Sequence, residues 1–298
     1  MKVLITGATG WLGHASLQAI KKVMPEVKPE DLMLYASRAR SHSDPTFGLV
    51  NVYELASTEL VTTNVDLFIS LALKTRDYSM KMDEEEYLKR NKALIEKNLE
   101  FMKSSNPKKI ILISSGVVSK YLEGKGHLDP YTEIKILEEK LFNQYAQQTN
   151  SKLIILRLWG ATGALMTEPL KYAIGNLIHQ AETTNQIIIN SKTEVFRRYT
   201  DATQIFEVLI RAIQLGYSGT LNSGGVMVEI GSLAQRISEF YGKSLEIIRN
   251  LESGSEPDFY VPTDSEFDEL ADSVGVSLLS LEDQIALTAK AVKRAMEN

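Results

Sequence analysis

Short apolar runs alternate along this chain with longer stretches in which apolar residues recur at helical spacing. Val3-Leu4-Ile5 is a continuous apolar run and reads as a buried strand. Beyond it, Leu12, Ala15, Ser16, Ala19, Ile20 and Val23 return at intervals of three and four, which predicts an amphipathic helix. The stretches 31–36, 65–72, 109–113 and 152–158 read as further strands, and 49–52 as an edge-like one. A long helix is predicted over roughly 83–104, with the stripe Tyr87, Leu88, Leu94, Ile95, Leu99 and Met102 turned inward and Asn91 on that same stripe. The acidic run Asp83-Glu84-Glu85-Glu86 reads as its solvated start. Asp129 and Pro130 suit the cap and first position of another helix, with Ile134, Leu137 and Leu141 facing in. Helices are also predicted over 232–241 and from Ser280 onward. Strands and helices in alternation predict an α/β fold with a parallel sheet.

With 298 residues, 44% of them hydrophobic, the chain can build one large domain or two small ones. A net charge of −5 argues against a nucleic-acid partner. The absence of cysteine removes disulfides, thiolate nucleophiles and cysteine metal sites together. No apolar run is long enough to span a bilayer and strand residues begin at Val3, so a soluble, cytoplasmic protein without a membrane partner is expected. The four histidines, His14, His42, His127 and His179, lack metal-ligand spacing, so no metal site is expected.

Candidate chemistry gathers at three places. The first is Thr6-Gly7-Ala8-Thr9-Gly10-Trp11-Leu12-Gly13, between a strand and a helix. Gly7 permits a tight turn, Gly10 lets the backbone approach a pyrophosphate, and Gly13 lets the helix pack close to the strand. The free N–H groups at the helix start then face the phosphates. Gly7, Thr9, Gly10, Trp11, Leu12 and Gly13 are therefore candidate dinucleotide contacts, with Leu71 and Ala72 joining them beyond the end of a neighbouring strand. The second is the end of the second strand, where an acidic residue would favour NAD and a basic one NADP. Ser37-Arg38-Ala39-Arg40 offers no carboxylate. Ser37 and Arg38 either hold a 2′-phosphate, which favours NADPH with NAD as the alternative, or form a solvated basic loop. The third is Tyr131 and Lys135, four apart on one helix face. A cation near a phenol favours the phenolate, so such a tyrosine can move a proton at neutral pH. The competing reading is a surface pair.

The glycine string, the Ser114-Ser115 strand end and the Tyr131/Lys135 pair together resemble the extended branch of the short-chain dehydrogenase/reductase superfamily. This branch is the NAD-dependent epimerase/dehydratase family of nucleotide-sugar-modifying enzymes. The resemblance extends to Arg157 with Trp159–Gly163, to Phe196–Asp201, to Gly219–Gly225 and to Ser280-Leu281-Glu282. It implies a Rossmann-like doubly wound parallel sheet over 1–163, with 196–224 returning to it. A smaller C-terminal α/β substrate-binding domain would then comprise 164–195 and 225–298. It implies Ser115, Tyr131 and Lys135 as catalytic residues, with Ser114 the alternative to Ser115, and Tyr131 and Lys135 also beside the cofactor. Ser115 and Arg197 are the implied substrate contacts; for Arg197 a structural ion pair is an equal alternative, and for Arg198 it is preferred. Asn91 matches a family asparagine.

Two places depart from the family: Gly160 stands where many members have asparagine, and 264–269 is acidic where many carry a basic residue. Gly116 and Val117 stand where dehydratases keep an acidic pair, which argues against dehydration. The expected activity is NADPH-dependent reduction of a keto group on a nucleoside-diphosphate sugar, with Tyr131 as proton donor. The alternatives are an NAD-dependent nucleotide-sugar epimerase, a reductase of another carbonyl, and a non-catalytic NADP-binding regulator. Relatives of this branch pair through the helices matching 83–104 and 131–149, so a homodimer is compatible with the resemblance.

Overall fold

A computed structural model describes residues 1–56 and 63–297. In chain order its first elements are β1 (Val3–Thr6), α1 (Trp11–Val23), β2 (Leu32–Ala36), β3 (Arg40–Asp44), β4 (Gly48–Glu54), β5 (Leu67–Ser70), α2 (Arg76–Ser79), α3 (Glu84–Ser105), β6 (Lys109–Ser115), α4 (Gly116–Leu122), α5 (Pro130–Thr149) and β7 (Lys152–Leu158). There follow β8 (Ala161–Thr162), α6 (Ala173–Thr183), β9 (Gln186–Ile189), β10 (Val195–Asp201), α7 (Ala202–Gln214), β11 (Gly219–Asn222), β12 (Val226–Glu229), α8 (Ile230–Phe240), β13 (Glu246–Arg249), β14 (Asp258–Tyr260), α9 (Glu266–Ser273) and α10 (Leu281–Glu297). Two compact units result, one of residues 1–158 and 206–222, the other of 159–205 and 223–298. The stretch 196–224, expected to return to the first unit, is divided: 206–222 does so, and β10 lies in the second.

The first unit is a Rossmann-like sheet in the order β11-β7-β6-β5-β1-β2-β4-β3. All its pairings are parallel except β3 with β4. The strand order turns back beside β1, between β5 and β2, which is where an open parallel sheet leaves a crevice for a ligand. The apolar runs become the buried central strands: β1 and β5 have no exposed residue. Leu4, Phe68, Phe101, Ile110, Phe142 and Ile155 share one core cluster. β3 is absent from the sequence expectation because Arg40-Ser41-His42-Ser43-Asp44 has no apolar residue to alternate. Such a polar strand suits an edge, where one side meets only water. β4, expected as the edge, pairs with both β2 and β3.

The inward face of α5 also departs from expectation. Leu137 and Leu141 are only partly buried, while Lys135, Glu138, Glu139 and Phe142 are fully buried. Lys135 and Glu138 compensate each other within α5, and Glu139 is compensated by Arg157 of β7. Asp129 caps α5 as expected, accepting from Thr132 N at 2.8 Å. Asp83 likewise caps α3 through Glu85 N and Glu86 N.

The second unit contains the sheet β12-β10-β14, with β8 on β10 and a separate parallel pair, β9 with β13. Ile174, Ile178, Leu233, Ile237, Ile285 and Val292 pack into its core. Among the described residues no helix is long and apolar enough to cross a membrane.

The glycine turn depends on close backbone approach. A Cβ on Gly13 would lie 2.2 Å from the Ala8 carbonyl oxygen, and Gly7 sits at φ 76° with a would-be Cβ 2.8 Å from the Leu71 carbonyl carbon. Gly13→Ala is expected to cost about 1–3 kcal/mol of stability as the backbone moves aside. Urea denaturation measures it, and an unchanged midpoint would mean that the helix does not rest on that carbonyl.

Candidate functional site

The residues of the glycine turn are set by β1 and β2 together. Gly7 N and Ala8 N both donate to the Tyr35 carbonyl, at 2.8 and 3.1 Å, and Leu71 N donates to Thr6 O at 3.0 Å. Gly7 therefore lies against Leu71 and Ala72, which brings two of the sequence-predicted cofactor segments together. Gly10 caps α1 without a side-chain hydrogen bond, and the first turn of α1 carries no acidic residue. The helix dipole there favours negative charge. Thr9 and Leu12 are half-buried and Trp11 is buried in this turn. A side chain at Gly7 or Gly13 would collide with backbone, so both positions of the turn require glycine.

Asn91, fully buried on α3, ties down the segment after β5. Its Oδ1 accepts from Lys74 N at 2.8 Å, and the Tyr87 hydroxyl donates to Lys74 O, also at 2.8 Å. Burial and the neighbouring Tyr131 push the Tyr87 phenol up. Asn98 Nδ2 donates to Ser70 Oγ at 3.1 Å, a second buried amide holding β5. Periodicity alone gives no sign of it. Ser37 and Arg38 are exposed after β2, and none of the ion pairs among the described residues involves Arg38.

The two serines ending β6 have separate roles. Ser114 donates to Glu139 Oε1 at 2.6 Å, and Glu139 also takes the Arg157 guanidinium through both oxygens, at 3.0 and 2.8 Å. Ser114 is thereby spent on a structural network. Ser115 caps α4 by accepting from Val117 N at 3.5 Å, which leaves its hydroxyl proton for a ligand. One helix over, the Lys135 amine donates to Ile113 O at 2.8 Å and to Glu138 Oε2 at 2.9 Å. Burial alone would lower Lys135, but the Glu138 carboxylate, helped by Tyr131 and Glu139, holds it above its ordinary value. Burial pushes Glu138 up and Lys135 pulls it back. The charged pair is the form in which each group has its partner. Tyr131 is half-buried one helical turn before Lys135.

In the second unit Arg197 has the ion pair that was its alternative reading: Nη2 lies 2.9 Å from Asp258 Oδ2, and Nη1 donates to Phe196 O. Arg198 is engaged on every side, by Asp268, by Gly225 O and by Asp264 O. The acidic segment 264–269 thus serves to hold Arg198, and Asp268 also accepts from Gly225 N. Gly160 cannot be the family asparagine, because a Cβ there would lie 2.3 Å from the Arg198 carbonyl oxygen. A surface groove of about 560 Å³ on this unit is lined by Phe196, Met227, Glu229, Arg236 and Glu282 and holds none of the expected site residues.

One cluster lies outside the sequence reading. His14, His42 and Asp44, with a ligand atom of each within 4.8 Å of the others, come together although 28 residues separate the two histidines. His14 Nδ1 lies 3.1 Å from Asp44 Oδ2, and Asp44 Oδ1 accepts from Thr46 N and Phe47 N. Burial, then His14 and Arg40, lower His42 against the opposing Asp44. Burial would raise Asp44, but His14 and the two amides together lower it. Both groups lose protons more readily in the fold than outside it. Stability from His42 is therefore present above its ordinary value of 6.5 and is lost as pH falls through the lowered one. The thermal midpoint is expected to fall from neutral to mildly acidic pH, and His42→Gln to flatten that fall. An identical slope in the variant would remove His42 as its source.

No curated protein sequence matches the chain. The fold is shared with solved structures. One is an NAD-dependent NDP-hexosamine 5,6-dehydratase, TunA, at TM-score 0.73 and 18% identity over 98% of each chain. Another is MoeE5 in complex with UDP-glucose and NAD, at 0.72 and 18%, over 99% of this chain and 100% of that one. A third is a UDP-N-acetylglucosamine 4-epimerase from Methanobrevibacter ruminantium M1, also at 0.72 and 18%, over 99% of each. The sequence profile of the NAD dependent epimerase/dehydratase family matches residues 3–224, a span that takes in the glycine turn, Ser115, Tyr131 and Lys135, and the chain belongs to that family.

Proposed function

We propose that this protein is a nucleotide-sugar epimerase that works with a tightly held nicotinamide cofactor, NAD in the first instance. The reading rests above all on the family match across 3–224, which covers the glycine cradle and the Tyr131/Lys135 helix alike. Solved relatives of the same fold bind NAD with UDP-sugars, and several are 4-epimerases. These relatives favour epimerisation over the net reduction expected from the sequence. Gly116 and Val117 carry no acid or base for expelling water, which speaks against the dehydratase members of the family.

The cradle from Gly7 to Gly13 and the start of α1 would hold the pyrophosphate. Leu71 and Ala72 would line the same crevice. A bound nicotinamide would supply a reversible hydride acceptor for the sugar carbon. Tyr131 would remove the proton of the sugar hydroxyl as hydride leaves and restore it as hydride returns. Lys135 would hold the cofactor ribose and favour the phenolate. Ser115 would donate to the sugar oxygen where negative charge develops. Arg197 contributes to a diphosphate only if Asp258 gives up part of its fork.

NADPH-dependent reduction is the second reading, favoured by the exposed Arg38 and by the lack of a carboxylate at the end of β2. Cofactor retention separates the two. An epimerase carries NAD through purification, which mass spectrometry of the denatured protein detects, and converts UDP-sugars without net cofactor oxidation. A reductase consumes NADPH with each product formed. Under either reading Tyr131→Phe is expected to lower turnover by a factor of about 10² or more with cofactor affinity nearly unchanged. Full turnover in that variant would remove Tyr131 from its role. Arg38→Asp tests the second reading: it weakens NADPH binding more than NADH binding if Arg38 meets a 2′-phosphate, and titration of both cofactors measures the difference.

A further inference from the structure

Glu138 has no part in the chemistry described so far, yet it is one of the most deeply buried charges in the first unit, 1% exposed. It stands three residues after Lys135 on the same face of α5, and its Oε2 lies 2.9 Å from the Lys135 amine. The only other hydrogen bond of that amine among the described residues goes to the Ile113 carbonyl, two residues before Ser115. The cation assigned to the active site is therefore sealed between a carboxylate and a backbone oxygen.

The other titratable groups that face this pair are already engaged. Glu139 on α5 is taken by Arg157 of β7 and by Ser114 of β6. Tyr87 on α3 donates to the Lys74 carbonyl. Asp129 at the start of α5 pairs with Arg76 of α2. Tyr131 remains, one turn before Lys135, and is the group whose proton the Lys135 charge would influence. An ammonium alone beside a phenol favours the phenolate, but an ammonium in contact with a carboxylate presents a much weaker field.

We propose that Glu138 is a positioning residue that fixes the Lys135 ammonium between its own carboxylate and the Ile113 carbonyl, and through that ammonium sets how readily the Tyr131 phenol gives up its proton. The proposal rests on the reading of Tyr131 as the proton-transfer group. A ligand that draws Lys135 away from Glu138 strengthens the field of the ammonium on Tyr131.

The test is an ultraviolet titration of phenolate, with the Tyr131→Phe curve subtracted so that one tyrosine of the twelve is read. In Glu138→Gln the amide oxygen still accepts from Lys135, but the negative charge is gone, so Tyr131 is expected to ionise about one pH unit lower than in the unaltered protein. Glu138→Asp restores the charge and is expected to return the curve toward its original position, which a loss of packing alone would not do. Should the Gln protein not fold, Glu138→Met, which also removes the charge, is titrated in its place with the same lower curve expected. An unmoved Tyr131 in a folded Glu138→Gln protein, or a Glu138→Asp curve displaced as far as the Gln one, overturns the proposal. Cofactor binding, followed separately by quenching of protein fluorescence, tells the two readings apart. A protein that binds neither NAD nor NADPH loses the enzyme assignment while the titration still judges Glu138. A protein that binds cofactor with an unmoved phenol keeps the assignment and loses only the role of Glu138.

Discussion

A lysine ammonium sealed from water needs an anion beside it; α5 supplies that anion itself for Lys135, while Arg157 of β7 does the converse for Glu139. Lys135 is 6% exposed and answers to Glu138; Glu139, one residue on, answers to Arg157 and Ser114. Removing one partner of such a buried pair generally costs about 3–5 kcal/mol, because the other charge is left alone in a poor solvent. The same contacts that keep α5 seated on the sheet therefore hold Lys135 one turn from Tyr131. Stability and chemistry share the network, and the helix cannot slide or rotate without stranding a charge.

A second constraint acts at the glycine turn. The α1 helix can begin where it does only because Gly13 has no side chain to meet the Ala8 carbonyl, and Gly7 can turn against Leu71 only at positive φ. These contacts bring the start of α1 to the switch point of the sheet, with no side-chain cap on its first turn. Both halves of the proposed site are thus made by shortage: of side chains in the glycine turn, and of water around Lys135.

Much of this was legible in the sequence, for physical reasons that differ by element. Buried central strands announce themselves as apolar runs, so β1, β2, β5, β6 and β7 fall within about two residues of expectation. The Asp129-Pro130 start of α5 was equally plain, since capping is local chemistry. What escaped was whatever depends on a distant partner. The polar edge strand β3 has no apolar pattern of its own. Glu139 and Asn98 are held on buried faces by Arg157 and Ser70. His14 and His42 meet only once β3 folds back beside α1. That Ser114 is bonded to Glu139 was equally hidden. The acidic stretch around Asp268 looked like a loss of substrate contacts and proves to be the seat of Arg198.

Gly160 carries the same lesson toward substrate. The residue is small because the Arg198 carbonyl leaves no room for more. The central claim, that a hydride leaves a sugar carbon and returns to it beside Tyr131, is tested most directly by following that hydrogen. A UDP-sugar carrying deuterium at the carbon to be inverted is incubated with the protein in ordinary water, and the product is examined by NMR. Internal hydride transfer predicts that the inverted product keeps its deuterium; loss of the label to solvent would contradict the account.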